Sequence, residues 1–444
     1  MNGNINRRIR NIAIVLSGCV LLSGCRSTAP NVNSQHTSTS STTGDSSEFA
    51  VPAAELIPEL EQRVADNPKD FVALNKLSGY YLQRQRETGE DKYIALAAKA
   101  AKSSLAVIPA ERNAGALAAL AQAELASHQF ATARDYAEQL IRLEPDKKYP
   151  HQILLDALIE LGDYKRAEEV FALVKKTSEP GISSETRAAK FEQLHGNTAS
   201  AKQHIANALA FGVQQVPRSR ESVAWCHWQM GELYFSTGNY PEAEKSYEQA
   251  LATFPDYYRA LAAMARVRSA LGDLNGAIRY GEQAVQVISE PALLSLLGDL
   301  YKLAGRDADA ARQYELTEKT ALQEAAEGRL HKRELALFYA DHDLKPLDSF
   351  TLASEDYKNR SDIYGADALG WAAFKANKLT EAQAAIKEAL KLGTQDAKLF
   401  YHAGKIMRAV GNETAARDYF KRVTELNPQF DPLQSRIAKE EMGR

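Results

Sequence analysis

Residues 224–257 read AWCHWQMGELYFSTGNYPEAEKSYEQALATFPDY. Met230, Gly231 and Tyr234 precede a turn at Gly238-Asn239-Tyr240, and Ala243, Tyr247 and Ala250 follow at the i, i+4, i+7 spacing of one helix face. Pro255 ends the second helical run, because proline lacks the backbone donor and clashes with the preceding turn. The stretch therefore predicts two antiparallel helices joined by a tight turn. Such helices pack closely only where side chains are small. Gly231 on the first helix and Ala243 and Ala250 on the second meet that need, while Tyr234 and Tyr247 fill the space beside them.

The alanine at 243 has counterparts along the chain, at Ala97, Ala133, Ala167, Ala201, Ala277, Ala310, Ala382 and Ala416. Most steps are 33 to 36 residues; a step of 42 marks an insertion at about 212–223, and one of 72 conceals a degenerate unit around Leu335–Ala353. Prolines recur after the second helix at Pro68, Pro109, Pro145, Pro255 and Pro428. Turn pairs recur at Gly162-Asp163, Gly196-Asn197, Gly272-Asp273, Gly305-Arg306 and Gly411-Asn412. A fixed register over so many units is the mark of a stacked repeat array, in which each unit buries its apolar face against its neighbours.

The unit resembles the tetratricopeptide repeat, with its L-G-x-x-Y…A-x-x-x-F…P pattern and 34-residue period. The resemblance covers residues 51–430 and implies an all-α fold, an α-solenoid of about ten helix-turn-helix repeats wound into a right-handed superhelix. Residues 431–444 then read as a C-terminal capping helix, with Leu433 and Ile437 on one face, and residues 52–66 as its N-terminal counterpart.

Ahead of the repeats, residues 1–24 read as a secretory signal. Arg7, Arg8 and Arg10 form a positive region and Ile12–Leu22 an apolar run of eleven. That run is too short to span a bilayer, which takes about 20 residues. Leu22-Ser23-Gly24-Cys25 resembles the lipobox of bacterial lipoproteins, which implies cleavage before Cys25 and acylation of its thiol and new amine. Leu16-Ser17-Gly18-Cys19 spells the same box, but cleavage there leaves an apolar run of only about five residues, below the usual length. Each buried CH2 contributes about 0.8 kcal/mol, so palmitate-length chains on Cys25 anchor the protein firmly. Arg26 follows the cysteine where an aspartate is absent, which resembles the state that sends Gram-negative lipoproteins to the outer membrane. Residues 25–50 hold the lipidated cysteine and a linker in which twelve of residues 26–50 are Ser or Thr, a composition with too little to bury for folding.

The whole chain has 54 Lys+Arg against 57 Asp+Glu, a net charge of -3. That balance argues against a nucleic-acid binder that works by neutralising phosphates. Three cysteines support neither a disulfide scaffold nor a Cys-rich zinc module. No H-E-x-x-H, G-x-S-x-G, Walker or Rossmann motif is present, so no catalytic, metal-binding or cofactor residue is expected. Asp341, His342 and Asp343 form the densest polar group and read as a solvated turn of the degenerate unit. Cys226 reads as a small buried hydrophobe.

Repeat arrays act through their curved inner surface. In tetratricopeptide proteins that surface is formed by the first helix of each repeat. Taking the residues six and three before the glycine, and one and four after it, gives Trp225, Trp228, Glu232 and Phe235 around Gly231. The same offsets give Tyr364, Asp367, Trp371 and Phe374 around Gly370, then Lys398, Tyr401, Lys405 and Arg408 in the following repeat. Arg259 and Arg266 come from the repeat after Gly231. All three tryptophans of the chain thus fall on expected groove positions. Aromatic rings flanked by Arg and Lys suit an extended peptide bearing carboxylates.

These readings lead to a non-catalytic scaffold, lipid-tethered in the bacterial cell envelope and facing the periplasm. Its partners would be other envelope proteins or peptides, in pilus, secretion, exopolysaccharide or cell-wall assembly. The alternative is a receptor for extended peptides or glycans in the aromatic groove, which requires those rings to be exposed along one continuous surface.

Overall fold

A computed structural model of the chain describes residues 49–177, 179–326 and 332–443. The expected signal peptide, Cys25 and the linker up to residue 48 lie outside the described residues. The helices run α1 Ala53–Asp66, α2 Phe71–Thr88, α3 Lys92–Val107, α4 Ala114–Ala126, α5 Phe130–Leu143, α6 Tyr149–Glu160, α7 Tyr164–Thr177, α8 Ile182–Leu194, α9 Thr198–Gln214, α10 Arg220–Phe235 and α11 Tyr240–Thr253. They continue as α12 Tyr258–Ala270, α13 Leu274–Val287, α14 Pro291–Leu303, α15 Asp307–Ala326, α16 Lys332–Asp341, α17 Pro346–Asn359, α18 Ile363–Lys375, α19 Leu379–Ala389, α20 Ala397–Ala409, α21 Glu413–Leu426 and α22 Gln434–Met442. Among the described residues the remaining regular structure is one 3-10 turn, Ala110–Arg112, and an isolated bridge between Phe49 and Arg218. No described helix is long and apolar enough to cross a membrane.

The fold is the expected all-α solenoid. Helices α2 to α21 form ten antiparallel hairpins, each stacked on the next. The first helix of a hairpin (A) is even-numbered and the second (B) odd-numbered. The nine recurring alanines all sit on B helices and are 0–1% exposed. A Cβ on Gly231 would lie 2.3 Å from the Tyr247 ring, and one on Gly404 would lie 2.8 Å from Phe420. The small-against-large spacing read from residues 224–257 is thus a physical fit between A and B helices.

Two details depart from the sequence expectation. The long step of 72 divides at Ser349, which is fully buried on α17 and donates its hydroxyl to the Ala336 carbonyl at 2.7 Å. A serine can stand where alanine stands elsewhere, because the neighbouring backbone accepts its proton. The insertion expected at 212–223 is mostly helix: α9 extends to Gln214 and α10 begins at Arg220, leaving only residues 215–219 between them.

Both ends of the stack are covered. On α1, Ile57 and Leu60 pack on the cluster of Leu74, Leu77 and Tyr81 from α2. On α22, Ile437 and Ala438 pack with Phe420 and Val423 of α21.

The stack winds far enough to meet itself. The turn between α6 and α7 touches the link between α17 and α18: Arg360 pairs with Glu160 at 2.7 Å, and Ser361 donates to the Leu161 carbonyl at 2.7 Å. The Ile363 amide donates to the Tyr164 hydroxyl at 2.8 Å. One repeat further, Thr394 donates to the Leu194 carbonyl. One repeat further again, Asn427 donates to the Phe235 carbonyl at 2.9 Å and accepts from Tyr240 at 2.6 Å. Three successive A–B turns thus meet chain about 190 to 200 residues later, in the same relation each time. The solenoid is a closed superhelix, and its concave face becomes an interior.

Candidate functional site: the inner face of the superhelix

The inner face divides into two parts with different fates. In the C-terminal part the expected groove residues of α18 and α20 converge, but the end of the chain already occupies the space between them. Trp371 is 1% exposed. Its ring stacks on His402 at 4.1 Å, and its Nε1 donates to Asp341 at 2.8 Å. Tyr401 is 3% exposed and packs against Phe430 at 5.5 Å. Lys398 donates to Asp341 at 2.9 Å, and Gln434 from α22 donates to the same carboxylate at 2.8 Å. Lys405 pairs with Glu441 at 2.7 Å, and Arg408 pairs with Glu441 as well. Asp367 is buried and accepts from His402 at 2.9 Å. Phe374 stacks on Trp371 at 5.2 Å. Of the expected aromatic set here only Tyr364 is exposed, at 37%.

The exposed, continuous aromatic groove expected from the sequence is therefore corrected. Trp371 and Tyr401 are core, because α22 and residues 429–433 pack against them. Lys398, Lys405 and Arg408 are engaged with carboxylates of the same chain. The polar group at Asp341 and His342 is likewise no solvated turn. Burial pushes the Asp341 carboxyl up, but Lys398 and His402 beside it outweigh this and hold it at about 2. His342 bridges the Phe338 carbonyl and Asp299 at 2.7 Å each. Burial pushes its imidazole down, and the Asp299 carboxylate outweighs this, so it titrates above its ordinary value.

In the N-terminal part the inner face stays open as a cavity of about 540 Å3, lined by the A helices α2, α4, α6, α8, α10 and α12. Trp225 and Trp228 project into its wall and meet edge to face at 6.3 Å. Arg259 of α12 lies over the Trp228 ring at 5.5 Å. Glu232, Phe235 and Arg266 lie beyond them. Arg266 pairs with Glu232 at 2.5 Å, and Glu232 also accepts from the Tyr247 hydroxyl at 2.8 Å. Phe235 is 5% exposed, with the Arg266 guanidinium over its ring at 5.1 Å. These three were expected to face a partner; they satisfy one another instead. Cys226 is buried on the other side of α10, near Ile182 and Ala208.

Sequence reasoning missed part of this lining. Gln122, Asp156 and Lys190 stand at the same offsets relative to the A–B turn, in the second, third and fourth hairpins. The rule that found Trp225 finds them too, once it is applied to repeats without an aromatic signal. Glu160 and Arg187 had no such signal. Burial pushes the Glu160 carboxyl up, but Lys190 and Arg360 outweigh this and hold it well below the usual carboxylate range. Among the described residues no group of three or more His, Cys, Asp or Glu is placed to hold a metal ion.

Comparison with known proteins bears on the repeats. Residues 118–181 and 368–429 match one family model described as tetratricopeptide repeat, and residues 234–286 match a second with the same description. No curated protein matches the chain. Among solved structures the chain is similar to a tetratricopeptide repeat protein from Parabacteroides merdae. The identity is 16%, over 59% of this chain and 97% of that one, with a TM-score of 0.34. It is similar to a thermophilic tetratricopeptide repeat protein of Thermus thermophilus at 18% identity, over 44% and 92% of the two chains, with a TM-score of 0.33. It is also similar to MamA protein at 15% identity, over 40% and 92%, with a TM-score of 0.30.

Proposed function

The chain is a tetratricopeptide-repeat protein, and from that premise we propose that it is a non-catalytic scaffold, lipid-tethered in the bacterial cell envelope, that holds other envelope proteins. Repeats of this family commonly mediate protein–protein interactions, and the observation that carries the scaffold reading is the closure of the superhelix. With the inner face paired, filled or enclosed, the surface left for macromolecular partners is the outside, formed by the B helices. Those helices show apolar side chains to solvent at Leu173, Val213, Val287 and Leu316. An extended peptide or glycan laid along the whole aromatic groove would have to displace α22 and residues 429–433. The tether rests on the charged region, apolar run and lipobox ending at Cys25; Arg26 supports the outer membrane, facing the periplasm.

Crosslinking in intact Gram-negative cells followed by membrane fractionation tests this reading. The wild-type chain is expected in the membrane fraction, crosslinked to envelope proteins, and Cys25→Ala is expected in the soluble fraction without them. Cys25→Ala remaining with membranes contradicts the tether at that residue. A wild-type chain that yields no crosslinked protein contradicts the scaffold.

A further inference from the structure

The cavity in the N-terminal part carries a charge imbalance. Besides His128, its lining holds four Lys or Arg side chains and three acids, and the acids are accounted for. Glu221 pairs with Arg86 at 3.4 Å, Asp156 with Arg187 at 2.7 Å, and Glu160 with Lys190 at 2.7 Å. The fourth base is Arg259. Its guanidinium lies over the rings of Trp228 and Tyr258, and among the described residues no carboxylate stands within ion-pair distance of it.

Two more donors in the same lining lack acceptors. Trp228 Nε1 and Gln122 Nε2 are buried, and neither has a hydrogen-bond partner among the described residues. A buried donor left unsatisfied costs roughly 1–3 kcal/mol, so two such donors beside a guanidinium with no carboxylate in contact call for a ligand that only accepts. Apolar wall is supplied by Leu82, Leu125 and Phe130 and by Ile205 and Leu233, which pack with Trp225; Gln85, Thr186, Gln193 and Gln229 make the remainder polar. The volume of about 540 Å3 suits a small molecule, since such sites typically span about 300–1,000 Å3.

We propose that this cavity is a binding site for a small amphiphilic monocarboxylate, with the carboxylate on Arg259 and an apolar body between the tryptophans and the aliphatic wall. A carboxylate is acceptor-only, and its two oxygens match the fork of an arginine. Among the described residues Arg259 has no carboxylate in direct contact, Glu290 and Glu221 acting on it only from a distance, and this suits a monoanion; a phosphate dianion would bring charge that the lining does not neutralise. The site is separate from the outer surface assigned to protein partners, and its failure leaves the scaffold reading standing.

The test is calorimetric titration of the full chain with 4-phenylbutyrate and with its uncharged counterpart 4-phenylbutyramide at pH 7. The acid is expected to bind at least about tenfold more tightly than the amide, as one charge-assisted pair would give. Arg259→Gln is expected to abolish that preference. Trp228→Phe keeps a ring and removes the N–H, and is expected to weaken the acid by about threefold to fivefold. No binding of the acid at millimolar concentration, equal binding of acid and amide, or an undiminished preference in Arg259→Gln each overturns the proposal. If Arg259→Gln does not fold, the acid-to-amide ratio of the wild type and the Trp228→Phe titration decide it.

Discussion

Replacing Asp341 with alanine is expected to destabilise the C-terminal repeats by about 2 kcal/mol and to release α22, because the variant strands two donors, on Trp371 and Gln434, and unpairs the half-buried ammonium of Lys398. The carboxylate accepts from Trp371, Lys398 and Gln434, which belong to α18, α20 and α22. Removing it leaves the half-buried Lys398 without its partner and cuts the polar tie from α16 to Gln434 near the chain end. Chemical denaturation reads the loss, and amide exchange over residues 429–443 reads the release. Asp341→Asn keeps one acceptor and should lose less. The effect carries a pH signature. The Asp341 carboxyl titrates at about 2 in the folded chain against an ordinary 3.8, so its contribution is complete above about pH 4 and is lost as the pH falls towards 2. A depression of that size is worth about 2 kcal/mol. The stability difference between wild type and Asp341→Ala should therefore shrink across that window.

The second large effect is expected at Gly162. Its φ is +70°, in the left-handed region that costs a residue with a Cβ about 1–2 kcal/mol. A Cβ there would also lie 2.2 Å from the carbonyl oxygen of Ser361, on the next turn of the superhelix. Gly272 has the same role in its own hairpin, with φ of +86°, but nothing within 4 Å of its Cβ position. The two substitutions share the backbone strain and differ in the contact. Gly272→Ala should cost about 1 kcal/mol and Gly162→Ala about 3 kcal/mol, since overpacking against backbone adds roughly 1–3 kcal/mol. Thermal or urea unfolding of the pair isolates the contribution of closure. Equal losses in the two variants would mean that the turns of the superhelix do not press on each other.

These positions show what a single sequence displays and what it hides. The hairpin was legible in residues 224–257, because a ring against a glycine and an alanine at each close approach leave a periodic trace. The degenerate unit was not, because Ser349 satisfies the same packing with a different side chain. The inner face was legible as a set of offsets, and those offsets do bring Trp225, Trp228 and Arg259 to one cavity. Its burial was not legible. Whether Trp371 meets solvent or α22 depends on the small rotation between neighbouring repeats, summed over the array. No repeat carries that sum, and partners such as Glu160 and Arg360, 200 residues apart, leave no pattern.

A double-mutant cycle on that pair tests closure most directly, with Glu160→Gln, Arg360→Gln and the double variant compared by urea denaturation. Glu160 and Arg360 sit 2.7 Å apart between adjacent turns of the superhelix, each mostly shielded from solvent. A coupling of about 1–2 kcal/mol is expected. In an open solenoid the two residues share no neighbour, and the cycle would return a coupling of zero.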